Sequence, residues 1–347
     1  MKIYLLLTLF LFAASENTKC QNNISEEKFI PINGIGQWIT IQGDRSKPVI
    51  LFLHGGPGSP MSPFSEAVYG GWEKDFIIVQ WDQRGTAKTF GLQAPEELDR
   101  VYLKANPLTL EQMVSDGVAV SEYLLKYLGK QKLILFGSSW GSVLGVSMAV
   151  QRPDLFYAYV GHSQIVEPVE NYPSIYHKVL ALATNAGDEN SIVGLNKLGL
   201  PPYDTARNYG QLLRTIKKYE RLNSIAAPDS FLKMSALYDN AKDEKDREDG
   251  DDYSFVNYTG DKKLQVNGMM AGIHFLRSAL HFKIPVYLIQ GEEDILTAKD
   301  YTKPYYDRIK APDKKYILIP GAAHGFNQAI VDAQYKTMME IKSVNKL

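Results

Sequence analysis

Short unbroken apolar runs alternate along the chain with longer stretches in which apolar residues recur every three or four positions. PVILFLH (48–54), FIIVQWD (76–82) and KLILFGS (132–138) are too short for buried helices and carry no polar face, which predicts strands covered on both sides of a sheet. QWITIQG (37–43) alternates like a strand. FYAYVGHS (156–163), IPVYLIQGEED (284–294) and KKYILIPGAAHG (314–325) read as further strands, the last two ending in turn residues. LTLEQMVSDGVAVSEYLLKYLG (108–129) predicts a helix closed by a glycine, GSVLGVSMAVQRP a helix stopped before Pro153, and residues 327 to about 344 a closing helix. Strands alternating with helices imply the α/β class, with a mostly parallel sheet flanked by helices. From about 165 to 268 the alternation stops: the sequence turns polar and rich in Tyr, Asn and Lys, with helical patches such as YGQLLRTIKKYERL. This predicts a helical cap (165–268) inserted into a core made of 21–164 and 269–347. Inside the cap, KDEKDREDGDD (242–252) reads as a solvated loop or helix end.

The N-terminus follows another rule. MKIYLLLTLFLFAAS has one lysine, an apolar run over 3–14 and then small residues, too short to span a bilayer comfortably. It predicts a secretory signal over 1–20, cleaved near Ala14 or Ser15, with an exported mature protein and no stable membrane insertion. An uncleaved anchor is the alternative. Cys20 is the one cysteine, so no intramolecular disulfide can form. A lipid on Cys20 is a second alternative, although Asn17, Thr18 and Lys19 are not the small apolar residues that signal requires. The 38 basic and 39 acidic residues leave a net charge of -1, with no basic stripe to hold nucleic acid.

Candidate chemistry centres on LILFGSSWGSVLG (133–145). A nucleophile on a tight strand-to-helix turn needs very small residues two before and two after it. Ser138 is flanked there by Phe136 and Trp140, and Ser142 by Trp140 and Leu144. Ser139 alone has glycines, Gly137 and Gly141. A serine hydroxyl also needs a base, and the base a partner to fix its tautomer. Among six histidines, His324 sits after an apolar strand among small residues, whereas His162 is close to the elbow but in the wrong chain order. The acid should end the preceding strand, where Glu292, Glu293 and Asp294 stand; Asp294 is preferred, with Glu293 as the fallback. Oxyanion donors are expected from the Trp140 N–H and from the glycine-rich loop HGGPGSP after the PVILFLH strand. That loop lacks the Lys-Ser or Lys-Thr of a phosphate-binding loop.

HGGPG (54–58), WDQRG (81–85) and GSSWGS (137–142), in this order, resemble the motifs of proline iminopeptidases and their relatives in the α/β-hydrolase superfamily. The resemblance covers 32–163 and 284–326. It implies an α/β-hydrolase fold with a helical cap over the site, and Ser139, Asp294 and His324 as triad. It also implies oxyanion amides from Gly56 and Trp140, no metal and no organic cofactor. The chain departs from the family in two places. WDQRG is followed by TAKT, where the family has glycine in the second place and serine in the fourth. The Glu-Asn-His-Tyr-Phe stretch, one of whose residues holds the substrate's amine, is missing, and DDYSFVNYTG (251–260) is only a loose counterpart. Desolvating an ammonium without a carboxylate is costly; Glu167 and Glu170 at the start of the cap are the candidates for that role. The resulting expectation is an exported serine hydrolase that releases an N-terminal residue from small peptides. A carboxylesterase with the same triad and a non-catalytic ligand-binding protein are the alternatives.

Overall fold

The computed structural model describes residues 22–347; the expected leader and Cys20 lie outside the described residues. Eight strands follow one another along the chain: β1 (Asn23–Ile32), β2 (Ile35–Asp44), β3 (Val49–Leu53), β4 (Ile77–Trp81), β5 (Leu133–Ser138), β6 (Phe156–His162), β7 (Val286–Gly291) and β8 (Lys314–Ile319). They form one sheet in the order β1-β2-β4-β3-β5-β6-β7-β8. β1 pairs antiparallel with β2, and β2 with β4; from β4 to β8 all neighbours are parallel. The order reverses at β3, which has β4 on one side and β5 on the other. Such a switch point opens a crevice beyond the carboxyl ends of the strands, where ligands bind in open α/β sheets.

The continuous apolar runs are explained by burial on both faces. On β3, Val49, Leu51 and Leu53 enter one core, and Ile50 and Phe52 the other. β4, β5 and β7 divide in the same period of two. The helix Leu110–Leu128 begins at Thr109, whose side chain accepts from the Gln112 N–H, and ends at Gly129 in the left-handed region (φ 66°). Trp140–Gln151 is buried nearly all round, as its apolar composition requires.

The hydropathy pattern does not predict β1. Its sequence, NISEEKFIPI, buries only part of one face, so the charged residues dominate the pattern. Between β6 and β7 the chain is helical, with Pro168–Asn185, Glu189–Leu198, Ala206–Asn223 and Ala241–Thr259 as its main elements. The charged run, expected on a solvated loop or helix end, forms the N-terminal part of the 19-residue helix Ala241–Thr259; Lys242, Glu244, Lys245 and Glu248 face solvent, while the helix buries Asp243, Asp246, Gly250, Ser254 and Asn257. Those positions recur at helical spacing, and the core they face is backbone and charge. Lys88 Nζ donates to Asp243 at 2.7 Å, Ser254 Oγ to the Gly85 carbonyl at 2.8 Å, and the Leu108 N–H to Asn257 Oδ1 at 2.8 Å. Among the described residues no helix is long and apolar enough to cross a membrane.

Candidate active site

β5 ends at Ser138, and the next helix starts at Trp140, so Ser139 occupies the turn alone. Its backbone is in a strained region, φ 52° and ψ −120°. The two glycines are forced by close approach. A Cβ on Gly137 would stand 2.3 Å from the Gly141 carbonyl oxygen, and one on Gly141 would stand 1.9 Å from that of Leu53. The elbow therefore presses against the end of β3, and the HGGPG loop that leaves β3 passes beside the nucleophile.

The structure brings Ser139, His324 and Asp294 together. Ser139 Oγ lies 2.9 Å from His324 Nε2, and His324 Nδ1 lies 3.1 Å from Asp294 Oδ2. An ionised carboxylate only accepts, so Nδ1 carries the proton and Nε2 is free to accept from the serine. Asp294 is fully buried and also accepts from Thr297, from its N–H at Oδ1 and from its hydroxyl at Oδ2, both at 2.7 Å. Burial opposes its charge, but His324 and the Thr297 bonds hold its carboxyl well below the usual range. For His324, desolvation opposes the imidazolium; the Asp294 charge and hydrogen bond outweigh it, Glu220 adds to them, and the imidazole pKa rises above its ordinary value. Glu293 does not reach the histidine: its N–H donates to the Ala322 carbonyl at 2.8 Å. Glu292 pairs with Lys299 at 2.8 Å.

Gly56 and Ser139 line the same cavity. Trp140 is the first residue of its helix, so its N–H has no intrahelical acceptor and points out of the positive end. The three sequence motifs meet here through side chains. Trp140 Nε1 donates to Gln83 Oε1 at 2.9 Å, and Gln83 Nε2 donates to the His54 carbonyl at 3.1 Å. His54 Nε2 accepts from the Gln83 N–H at 3.2 Å, and its Nδ1–H donates to the Gly55 carbonyl at 2.8 Å. Burial pushes the His54 pKa down to about 4, so the ring stays neutral and keeps one acceptor and one donor. His54 and Gln83 thus set the path of the Gly55–Gly56 backbone; the motifs contain both residues, but only their contacts reveal the role. Within TAKT, Thr89 Oγ1 donates to the Asp82 carbonyl at 2.6 Å and accepts from the Trp38 N–H at 2.8 Å, tying the segment to β2 and to the end of β4.

The cavity at Ser139 measures about 40 Å³ and is mainly apolar, walled by Val166, Tyr172, Ile175, Leu213, Phe255 and Tyr258, with no Asp or Glu in its lining. Glu167 and Glu170 are a correction. Pro168, Asn171, Tyr172 and Ile175 take the cavity face at helical spacing, which turns Glu170 elsewhere, while Glu167 stands at the N-cap of the helix, outside the lining, with its Oε1 buried and in no hydrogen bond among the described residues. Glu167 Oε1 lies 3.7 Å from Arg277 Nε; Glu170 Oε1 lies 3.3 Å from His274 Nδ1 and 3.5 Å from Arg277 Nη2. The acid that sequence reasoning missed is Glu220, on the helix Ala206–Asn223 and only 6% exposed. Its Oε1 accepts from the N–H groups of Ile295 at 2.8 Å and Leu296 at 3.2 Å, the residues between Asp294 and Thr297. Burial raises its pKa, His324 opposes that rise and Asp294 adds to it. Nothing local in YERL marks it, since its partners are about 75 residues away. Among the described residues no group of three or more His, Cys, Asp or Glu is placed to hold a metal ion.

Comparisons with known proteins bear on family and fold. The family "Serine aminopeptidase, S33" matches residues 44–328. The probable aminopeptidase YbaC of Bacillus subtilis (strain 168) is 26% identical over 311 residues, covering 88% of this chain and 92% of its own. A probable proline iminopeptidase of Streptomyces coelicolor is 26% identical over 274 residues, covering 74% and 76%. In fold, the chain is similar to VinJ (TM-score 0.64, 19% identity, 92% of this chain and 98% of that one). It is also similar to the proline iminopeptidase of Mycobacterium smegmatis (TM-score 0.59, 16% identity, 92% and 97%). The chain belongs to the serine aminopeptidase S33 family and is a proline iminopeptidase-like hydrolase of the α/β-hydrolase fold.

Proposed function

We propose that this hydrolase is an exported aminopeptidase that releases an N-terminal residue from small peptides through an acyl-enzyme on Ser139. The observation that carries the reading is the hydrogen-bonded chain from Ser139 through His324 to Asp294, opening on an apolar cavity. Ser139 Oγ attacks the scissile carbonyl carbon while its proton passes to His324 Nε2. The tetrahedral oxyanion takes the Gly56 and Trp140 N–H groups. Collapse breaks the C–N bond, and the leaving amine departs with the proton from His324. Water then attacks the acyl ester, gives its proton to His324, and Ser139 leaves as the restored hydroxyl. Asp294 stays ionised throughout and compensates the imidazolium.

Recognition of a free amine is assigned to Glu220, which does not itself line the cavity but holds the N–H of Leu296, a residue that does. It is a buried carboxylate that has no cationic side-chain partner among the described residues and whose second oxygen makes no hydrogen bond there, so an ammonium would offset part of its desolvation. The apolar cavity suits a small uncharged first residue such as proline. The carboxylesterase reading keeps one specific support, the absence of a carboxylate from the cavity lining. Export rests on the leader at the N-terminus, and recovery of a processed chain outside the cytoplasm tests it. A panel of aminoacyl anilides, the same anilides N-acetylated, and short acyl esters decides the activity. Turnover of prolyl or alanyl anilide with loss on acetylation is expected; ester turnover with no anilide turnover overturns the peptidase reading.

A further inference from the structure

Next to the triad, and outside the cavity lining, a second histidine is buried in a chain of hydroxyls. Ser138 Oγ is 3.0 Å from His162 Nδ1, His162 Nε2 is 3.3 Å from Ser163 Oγ, and Ser163 Oγ is 3.3 Å from the carbonyl oxygen of His324. His162 and Ser163 are fully buried, and the Phe326 ring packs on the imidazole at 5.2 Å between centroids. Only one proton arrangement satisfies every contact. A carbonyl accepts only, so Ser163 Oγ–H donates to His324. The Ser163 oxygen then accepts from His162 Nε2–H, which leaves Nδ1 to accept from Ser138 Oγ–H. All three donors point the same way, a sequence in which each bond polarises the next. Burial pushes the His162 pKa down to about 3, so the ring remains the neutral donor–acceptor this chain requires.

The location gives the chain a purpose. His324 stands in PGAAHGF, a loop of small residues with few side chains to lock it. Ser163 supplies the hydrogen bond to the His324 carbonyl found among the described residues. The same short segment holds the other reactant, because the Ser139 N–H donates to the His162 carbonyl at 2.9 Å. Ser163 itself has φ 51°, a conformation unfavourable for a residue with a Cβ, and its own N–H is tied to the Ile289 carbonyl at 3.1 Å. One backbone turn at the end of β6 therefore anchors nucleophile and base together. We propose that His162 and Ser163 are positioning residues that set the Ser139–His324 distance through the chain Ser138–His162–Ser163–His324 carbonyl.

This inference rests on the triad reading, and the test separates the two. The full chain would be made as wild type, Ser139→Ala, Ser163→Ala, His162→Leu and His162→Gln. Each would be assayed for fluorophosphonate labelling rate and for kcat and KM on an active substrate of the panel above. A displacement of about 1 Å between reacting groups costs on the order of 100-fold in rate. Ser163→Ala and His162→Leu should therefore lower the labelling rate and kcat on the order of 10- to 100-fold, with KM little changed. His162→Gln, which retains one acceptor and one donor, should recover most of the rate. The low-field proton resonance of His324 Nδ1–H should move in Ser163→Ala, a change that looser packing alone would not produce. If Ser139→Ala still labels, the triad reading fails. If Ser139→Ala is silent while folded Ser163→Ala keeps full rate and an unmoved resonance, the positioning role is overturned. Ser163→Ala removes a single oxygen, so it decides between these outcomes even where His162→Leu does not fold.

Discussion

Asp294→Asn is the sharpest test of the site, because it changes charge and tautomer while sparing shape. The amide can keep the Thr297 N–H bond made at 2.7 Å. Its nitrogen, however, would face His324 Nδ1, now 3.1 Å from a carboxylate oxygen. An N–H donor there forces Nδ1 to accept, so the proton moves to Nε2 and faces Ser139, and the base can no longer take the serine proton. The electrostatic loss adds to this. Two unit charges about 4 Å apart at an effective dielectric of about 20 attract by about 4 kcal/mol, roughly a thousandfold in rate when the imidazolium forms only in the transition state. The expected fall in kcat is on the order of 10³ to 10⁴, with KM nearly unchanged. Stopped-flow release of p-nitroaniline or p-nitrophenol at about pH 8, above the ordinary histidine range, would measure it, with circular dichroism to show an intact fold. Retention of more than about a tenth of kcat, or an equal loss in Glu293→Gln, would refute the assignment.

The surroundings of the triad and of the sheet edge supply two further tests. His324 must be neutral to act as a base and its pKa is raised, so kcat/KM should fall toward acid with an apparent pKa above the ordinary histidine value; Glu220→Gln removes one charge that raises it and should move that limb to lower pH, and an unmoved limb would show that Glu220 does not sense the triad. Arg84 Nε donates to the fully buried Asp116 at 2.6 Å, so Arg84→Ala should lower stability in urea unfolding by about 3–5 kcal/mol, and a loss under about 1 kcal/mol would mean that the Asn33 and Gln37 amides on Asp116 suffice.

Much of this site is legible in the sequence, for a physical reason. The elbow demands glycine where backbones nearly touch, and such demands leave a local mark. Ser139 is therefore separable from Ser138 and Ser142 by spacing alone, and the strands by their apolar runs. Glu220 leaves no mark, because its role is defined by amides that folding brings from the other side of β7. The helix Ala241–Thr259 is hidden differently: much of its buried stripe is Asp, Gly, Ser and Asn, whose partners are Lys88 and backbone carbonyls and amides, and only Tyr253 and Tyr258 add apolar surface to it. Glu167 and Glu170 mislead because sequence position places them near the cap entrance, while helix phase turns Glu170 aside and Glu167 stands at the N-cap position.

That helix also limits how substrate can arrive. Asp251 accepts from the Ser59 hydroxyl at 2.8 Å, and a Cβ on Gly58 would lie 2.6 Å from the Asp251 Cα, so the helix rests directly on the HGGPGSP loop beside Ser139. Lifting it would expose the buried Asp243 and break its Lys88 pair. It behaves as a fixed jamb, and its tilt cannot change without moving that loop. Tyr172, Ile175 and Leu213 bring the helices Pro168–Asn185 and Ala206–Asn223 to the cavity wall, so a change of substrate range can accumulate there while the frame around Ser139 keeps its shape.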